Sequence, residues 1–271
     1  MRYELMRPSQ IRVAIAKRTP VVLPLGVLEY HSEHLPVGMD TLAVERALRE
    51  YEKEAEIVIL PSFYWGASSR AVAPCEGRGS IPVDSQTLVP IARQIFRGLL
   101  DVGFRNIHTF VHHQSEDFAA GMPTDLAFRL ASRQVIMEYL EEKKGDGWWG
   151  NPSSATYYTD HTNPDANPFF WIRNHALMDA KVLANYPFDH AGEGETSLMM
   201  SLCPDTVNMA EFDKMAWYAQ SALRASKETG DGGVRMILDH FRRVLGGQGK
   251  GDVARTEPLV GGSLGEERVV T

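Results

Sequence analysis

Short apolar runs rich in β-branched and aromatic residues alternate along the chain with longer stretches whose apolar residues recur every three or four positions. VVLPLG (21–26), IVILPSFYW (57–65) and IHTFV (107–111) are each bounded by turn formers and read as buried strands. Residues 41–54, rich in Ala, Leu and Glu, read as helix. Leu88, Ile91, Ala92, Ile95, Leu99 and Leu100 recur at helical spacing behind a cap at Asp84 or Ser85, which predicts a helix over 84–101. From about 117 to 144, Leu126, Leu130, Ile136, Met137 and Leu140 fall close to a 3.6-residue period and predict a third helix. Such alternation predicts an α/β domain, a largely parallel sheet with helices on both faces, whose ligands gather at the carboxyl ends of the strands.

Two segments break the pattern. Residues 145–170 are rich in Gly, Asn, Pro and aromatics, including Trp148 and Trp149, and read as a long ordered excursion able to cover a pocket. From Gly246 the chain becomes Gly-rich and weakly periodic, the mark of a mobile tail or an arm onto a neighbour. The expected organisation is one domain over 1–245 followed by a tail over 246–271.

The 271 residues carry a net charge of -7, the wrong sign for coating phosphate backbones, so nucleic acid is not an expected partner. No apolar run reaches the roughly 18 residues that cross a bilayer, and MRYELMRPSQ lacks a basic segment followed by an apolar one, so the expected address is the cytoplasm with no membrane partner. Cys75 and Cys203 are too few for a disulfide scaffold and are expected as reduced thiols.

Chemistry concentrates at the predicted strand ends. The first strand runs into GVLEYHSEHLPVGMDT, which holds Glu29, His31, Glu33, His34 and Asp40; the third ends at VHHQSED, with His112, His113, Glu116 and Asp117. DHAGEGETS adds Asp189, His190, Glu193 and Glu195 before an apolar helix-like run. In an extended chain residues two apart share a side, so Glu29 and His31 can face one site while Tyr30 turns away. Carboxylate and imidazole together suit Zn, Mn or Fe(II) better than Ca. A covalent mechanism has little to start from: Cys75 lacks an evident partner and there is no Gly-x-Ser-x-Gly turn.

LPLGVLEYHSEHLPVGMDT and HAGEGETS resemble the early and late signatures of the creatininase (creatinine amidohydrolase) family. GSIPVDSQTL and GFRNIHTFVHH resemble its intervening turn and strand, and the order of the four is the family's. The resemblance implies a three-layer α/β/α sandwich, a metal-dependent amidohydrolase-type enzyme with two divalent ions per chain, and a homo-oligomer, a hexamer built from dimers. Carried over by position, Glu29 and His31 would each hold one ion, Asp40 would bridge them and His113 would complete the first site. Ser115 stands where creatininase has a Glu, so the last carboxylate is expected from Glu195, with Glu116 as the fallback. His190 would shuttle a proton with Glu193 nearby, while Ser80, Tyr186 and Arg78 would contact substrate. His34 is expected to orient a ligand or a loop, and His112 would replace His113 if the register slipped by one.

The expected activity is hydrolysis of a C–N amide bond in a small cyclic compound, because two divalent ions about 3.5 to 4 Å apart can lower the pKa of a shared water towards neutrality. Alternatives are C–C ring opening of a cyclic polyhydroxy diketone, an oxidised inositol, and a non-catalytic metal-binding scaffold. Arg70 or Arg78 in the pocket would favour an oxygen-rich or anionic substrate.

Overall fold

The computed structural model describes residues 1–113, 118–163 and 166–246. Four parallel strands, β1 (Val21–Leu25), β2 (Val58–Ile59), β3 (Ile107–Val111) and β4 (Ile172–Ala176), form a sheet in the order β2-β1-β3-β4. Side-chain alternation divides the core in two. Val21, Leu23, Leu25, Ile107 and Val111 pack with α1 (Pro8–Ala16), α3 (Ser85–Val102) and α4 (Pro123–Lys144); Val22, Ile59 and Phe110 pack with α2 (Met39–Tyr51), α7 (Glu193–Leu202) and α8 (Lys227–Leu245). The result is an α/β/α sandwich. Two single-turn helices, α5 (Thr156–Thr159) and α6 (Ala180–Leu183), lie in the connections flanking β4.

The chain leaves β1 for α2 on one face and leaves β3 for α4 on the other. The loops after these adjacent strands therefore diverge at their carboxyl ends, at the point where the strand order reverses and where sheets of this kind gather ligands.

Several elements differ from the sequence reading. The second strand is only two residues long, although Phe63 still bridges to Leu25. α4 begins at Pro123, and Leu126, Leu130 and Met137 are exposed; Ala127, Phe128, Ala131, Ile136 and Leu140 form its buried face, so the packing stripe is rotated from the predicted one and keeps only Ile136 and Leu140 of it. β4 reads as polar because Arg173, Asn174 and His175 bond sideways to Asn106, Thr109 and His108 on the β3 side. α8 was masked by Gly230, Gly232 and Gly233. A side chain at Gly230 would meet the Ser197 carbonyl of α7, so the glycines permit a close helix contact at a cost in helix propensity. In the 145–170 excursion, Trp148 stacks on Trp149 and packs beside the core under α4. The tail after Gly246 lies outside the described residues.

Candidate metal centre

The site is built on the β1–α2 loop, the end of β3 and the start of α7. The loop turns tightly at Gly26, where any side chain would strike the backbone of Thr41 in α2. That close approach brings Asp40, in the first turn of α2, beside Glu29 and His31. The His31 ring is fixed by a hydrogen bond from Nδ1–H to the carbonyl of Glu29 (2.9 Å), which leaves Nε2 facing the site. Glu29 is anchored through Oε1, which accepts from the Ser69 N–H (3.0 Å), and its Oε2 lies 3.3 Å from His113 Nδ1.

α7 supplies the last carboxylate. Asp189 accepts from the backbone N–H groups of Gly194 (3.0 Å) and Glu195 (3.3 Å), meeting donors that a helix start leaves unsatisfied. Gly194 passes so close to the Pro187 carbonyl that a side chain there would overlap it. Glu195 then faces inward, with Oε1 accepting from His112 Nε2–H (3.0 Å) and Oε2 from the Ala191 N–H (2.7 Å).

Asp40 sits at the centre. Its Oδ1 is 3.6 Å from His31 Nε2 and its Oδ2 is 3.4 Å from His113 Nδ1, both beyond good hydrogen-bonding distance. Both oxygens are buried without a hydrogen-bond partner, and the residue is 1% exposed. Glu29, Asp40 and His113 form one group able to hold an ion, and His31, Asp40 and Glu195 a second. A buried carboxylate with no donor on either oxygen is costly unless a cation satisfies it, and the oxygen and nitrogen donors fit a divalent transition metal.

The electrostatics of the metal-free cluster are those of charges in mutual support. Burial alone would lower His31, yet Asp40 and Glu195 lift it to about 10; His113 is lifted to about 10 by Asp40 and Glu29, again against burial. Burial would raise the three carboxylates. The facing imidazoles hold Asp40 well below the usual range, and lower Glu29 and Glu195, with help from Ser69 and His112. Among the described residues, four non-glycine residues have positive φ, and three belong here: Ser32 after His31, His113 itself, and Ala191 after His190.

His190 stands beside these groups. Its Nε2 lies 3.0 Å from the Tyr30 carbonyl, which can only accept, so Nε2 carries the proton. The ring lies 4.4 Å from that of His31, centroid to centroid, and a ring nitrogen also comes within reach of Glu29 and His31. Tyr30 is held in turn by its N–H donating to Ser80 Oγ (2.9 Å). His34 bonds Thr196 Oγ1 (3.0 Å) in α7, tying the β1–α2 loop to that helix.

Other expected site residues lie elsewhere. Tyr186 is buried in the core, its OH donating to the Gly194 carbonyl (2.7 Å) and its ring against Gly233, so in this structure its contacts support α7. Glu193 is turned away and pairs with Arg224 (2.8 Å), because the residue two before the inward Glu195 falls on another face of α7. Arg78 pairs with Glu33 and donates to Tyr30 OH (3.1 Å), so its charge is already countered; Arg70 is exposed. Glu116 lies outside the described residues. Sequence reasoning missed the Ser69 N–H, a backbone donor with no residue signature, and the Tyr30 carbonyl.

The sequence profile of the Creatininase family, creatinine amidohydrolases, matches residues 4–235. A creatinine amidohydrolase of Pseudomonas putida is 21% identical over 194 residues, a match that covers 70% of this chain and 66% of that relative. A solved creatininase with a tryptophan-to-phenylalanine substitution superposes with a TM-score of 0.67 at 17% identity, over 90% of this chain and 98% of the other. A zinc–zinc form of another creatininase variant gives 0.63, with the same identity and coverage. At such identities the structural likeness is one of fold.

Proposed function

Because this chain belongs to the creatininase family, we propose that it is a metal-dependent hydrolase that cleaves the C–N amide bond of a small cyclic substrate. The observation that carries this reading is Asp40, whose two orphaned oxygens face His31 on one side and His113 on the other. Glu29, Asp40 and His113 would hold one divalent ion, and His31, Asp40 and Glu195 the other, with zinc, manganese and iron(II) all compatible. Ions bound there would supply Lewis-acid polarisation of a carbonyl and lower the pKa of water towards neutrality.

The protein groups do the remaining work. His190 presents Nδ1 with its lone pair, since Nε2–H is committed to Tyr30, and can take a proton and return it to the leaving nitrogen. Ser80 and the Tyr30 backbone hold that ring in place. Burial of Glu29, His31, Asp40 and Glu195 keeps competing water from the charged groups and strengthens their electrostatic interactions. The same reading includes assembly into a homo-oligomer, a hexamer by family resemblance, which sedimentation would test.

The test is a substrate panel on metal-loaded protein: cyclic amides, linear amides, and a cyclic polyhydroxy diketone. Turnover of a cyclic amide that disappears on chelation and returns with zinc or manganese is the expected result. Turnover of the diketone alone would replace amide hydrolysis with C–C ring opening, and no turnover at full metal occupancy would favour a binding protein.

A further inference from the structure

Consecutive histidines at the end of β3 serve different partners. An extended chain sends successive side chains to opposite faces, and the positive φ of His113 then bends the backbone. His113 Nδ1 meets Glu29 and Asp40, while His112 turns towards α7 and donates from Nε2 to Glu195 Oε1 (3.0 Å). His112 is fully buried with its ring against Phe188, and its Nδ1 has no hydrogen-bond partner. An orphaned ring nitrogen in an apolar setting costs free energy that a well-packed apolar side chain would avoid. Packing therefore does not account for a histidine here, and the bond to Glu195 is the contact that does.

We propose that His112 is a positioning residue for the second ion. It holds Glu195 Oε1 while the Ala191 N–H (2.7 Å) steadies Oε2, whose remaining lone pair, on an oxygen 3.6 Å from His31 Nε2, is the one presented to the His31–Asp40 side. Glu29 likewise has one oxygen held away from the site, by the Ser69 N–H, and the other facing His113; it differs from Glu195 in having its backbone donor on the outer oxygen. Each outer carboxylate thus offers one oxygen, and only Asp40 offers two. His112 makes no hydrogen bond or ion pair with Glu29, Asp40 or His113, so its influence falls on one half of the cluster. This inference rests on the metal reading above.

The test is metal retention. Metal-loaded full-length parent, His112→Ala and His112→Gln are dialysed against graded chelator, and metal per chain is measured by mass spectrometry. The parent is expected to release two ions in turn. His112→Ala should hold the first like the parent and the second about 10 to 100-fold more weakly. His112→Gln, whose amide can still donate to Glu195, should recover most of the difference. Two ions retained at parental strength in His112→Ala would overturn the assignment, as would equal weakening of both. An Ala variant that fails to fold leaves the Gln variant decisive: parental retention there supports the role, and selective loss of one ion despite the amide donor overturns it. A parent that binds no metal would overturn the metal reading itself, and this assignment with it.

Discussion

His31 Nε2 and Asp40 Oδ1 face each other at 3.6 Å, and both side chains are 1% exposed. They attract across a distance too long for a hydrogen bond, so in the metal-free protein the imidazole keeps its proton up to about pH 10. His113 does the same beside Asp40 and Glu29. A metal needs the lone pair that this proton occupies.

Metal uptake should therefore release protons. Below about pH 10 each ion displaces about one proton from its histidine, and apparent affinity rises with pH by up to about tenfold per unit for each site. Calorimetry in buffers of different ionisation enthalpy measures the count; no proton release at pH 7.5 would contradict the arrangement. Stability of the metal-free protein has the opposite dependence. An unfolded imidazole titrates near ~6.5, whereas both folded groups titrate at about 10. Their contribution is full below the first value and is lost as pH rises to the second. The metal-free thermal midpoint should fall between about pH 7 and 9.5 on this account, a trend that saturating metal removes.

Substitution of single carboxylates should separate the two halves of the site. Glu29→Gln should leave about one ion per chain, and Glu195→Gln about one, each retaining the other group of ligands. Asp40→Asn touches both groups and should leave close to none. Metal per chain on protein purified without chelator gives the answer. An Asp40→Asn protein that keeps two ions would remove Asp40 from its central place.

Much of this site was legible because ligand-type residues sit beside strong strand signals. β1 and β3 are five-residue buried strands whose apolar runs identify them, so the positions of Glu29, His31 and His113 follow from knowing where each strand stops. Glu195 was legible from its motif, but the opposite directions of Glu193 and Glu195 depend on the helix phase of α7. The bond from His112 to Glu195 was hidden because it depends on the arrival of α7, some eighty residues later. β4 and α8 were obscured for physical reasons. The polar residues of β4 satisfy one another across strands, and the glycines of α8 trade helix propensity for contact with α7.

Away from the candidate metal centre, Asp179 fastens α6 to α8. It accepts from the Val182 N–H (2.9 Å) and pairs with His240 (3.1 Å) and Arg243 (2.6 Å). Burial pushes its carboxyl up, but these partners hold it well below the usual carboxylate range. Its stabilisation is complete above the unfolded value of ~3.9 and is lost as pH falls through the folded value. Asp179→Ala should cost about 1 to 2 kcal/mol at pH 7, from the lost cap and charge-assisted bonds. The gap to the parent should shrink steadily as denaturant melts are repeated below about pH 4, while metal content stays at the parental level. A gap independent of pH would mean that packing, not charge, holds the junction.

His190 distinguishes a proton-moving role from a ligand role. Its ring lies within reach of Glu29 and His31, so proximity alone permits either. The bond to the Tyr30 carbonyl fixes the proton on Nε2 and leaves Nδ1 as the one nitrogen able to accept another. A glutamine can keep an N–H on that carbonyl but cannot take up a proton at neutral pH. His190→Gln should therefore retain about two ions per chain while kcat falls about 10²- to 10⁴-fold on whichever cyclic amide the parent hydrolyses. Metal analysis and turnover are read on the same preparation. Loss of an ion with the activity would make His190 a ligand, and activity within a few-fold of the parent would move the proton transfer to another group.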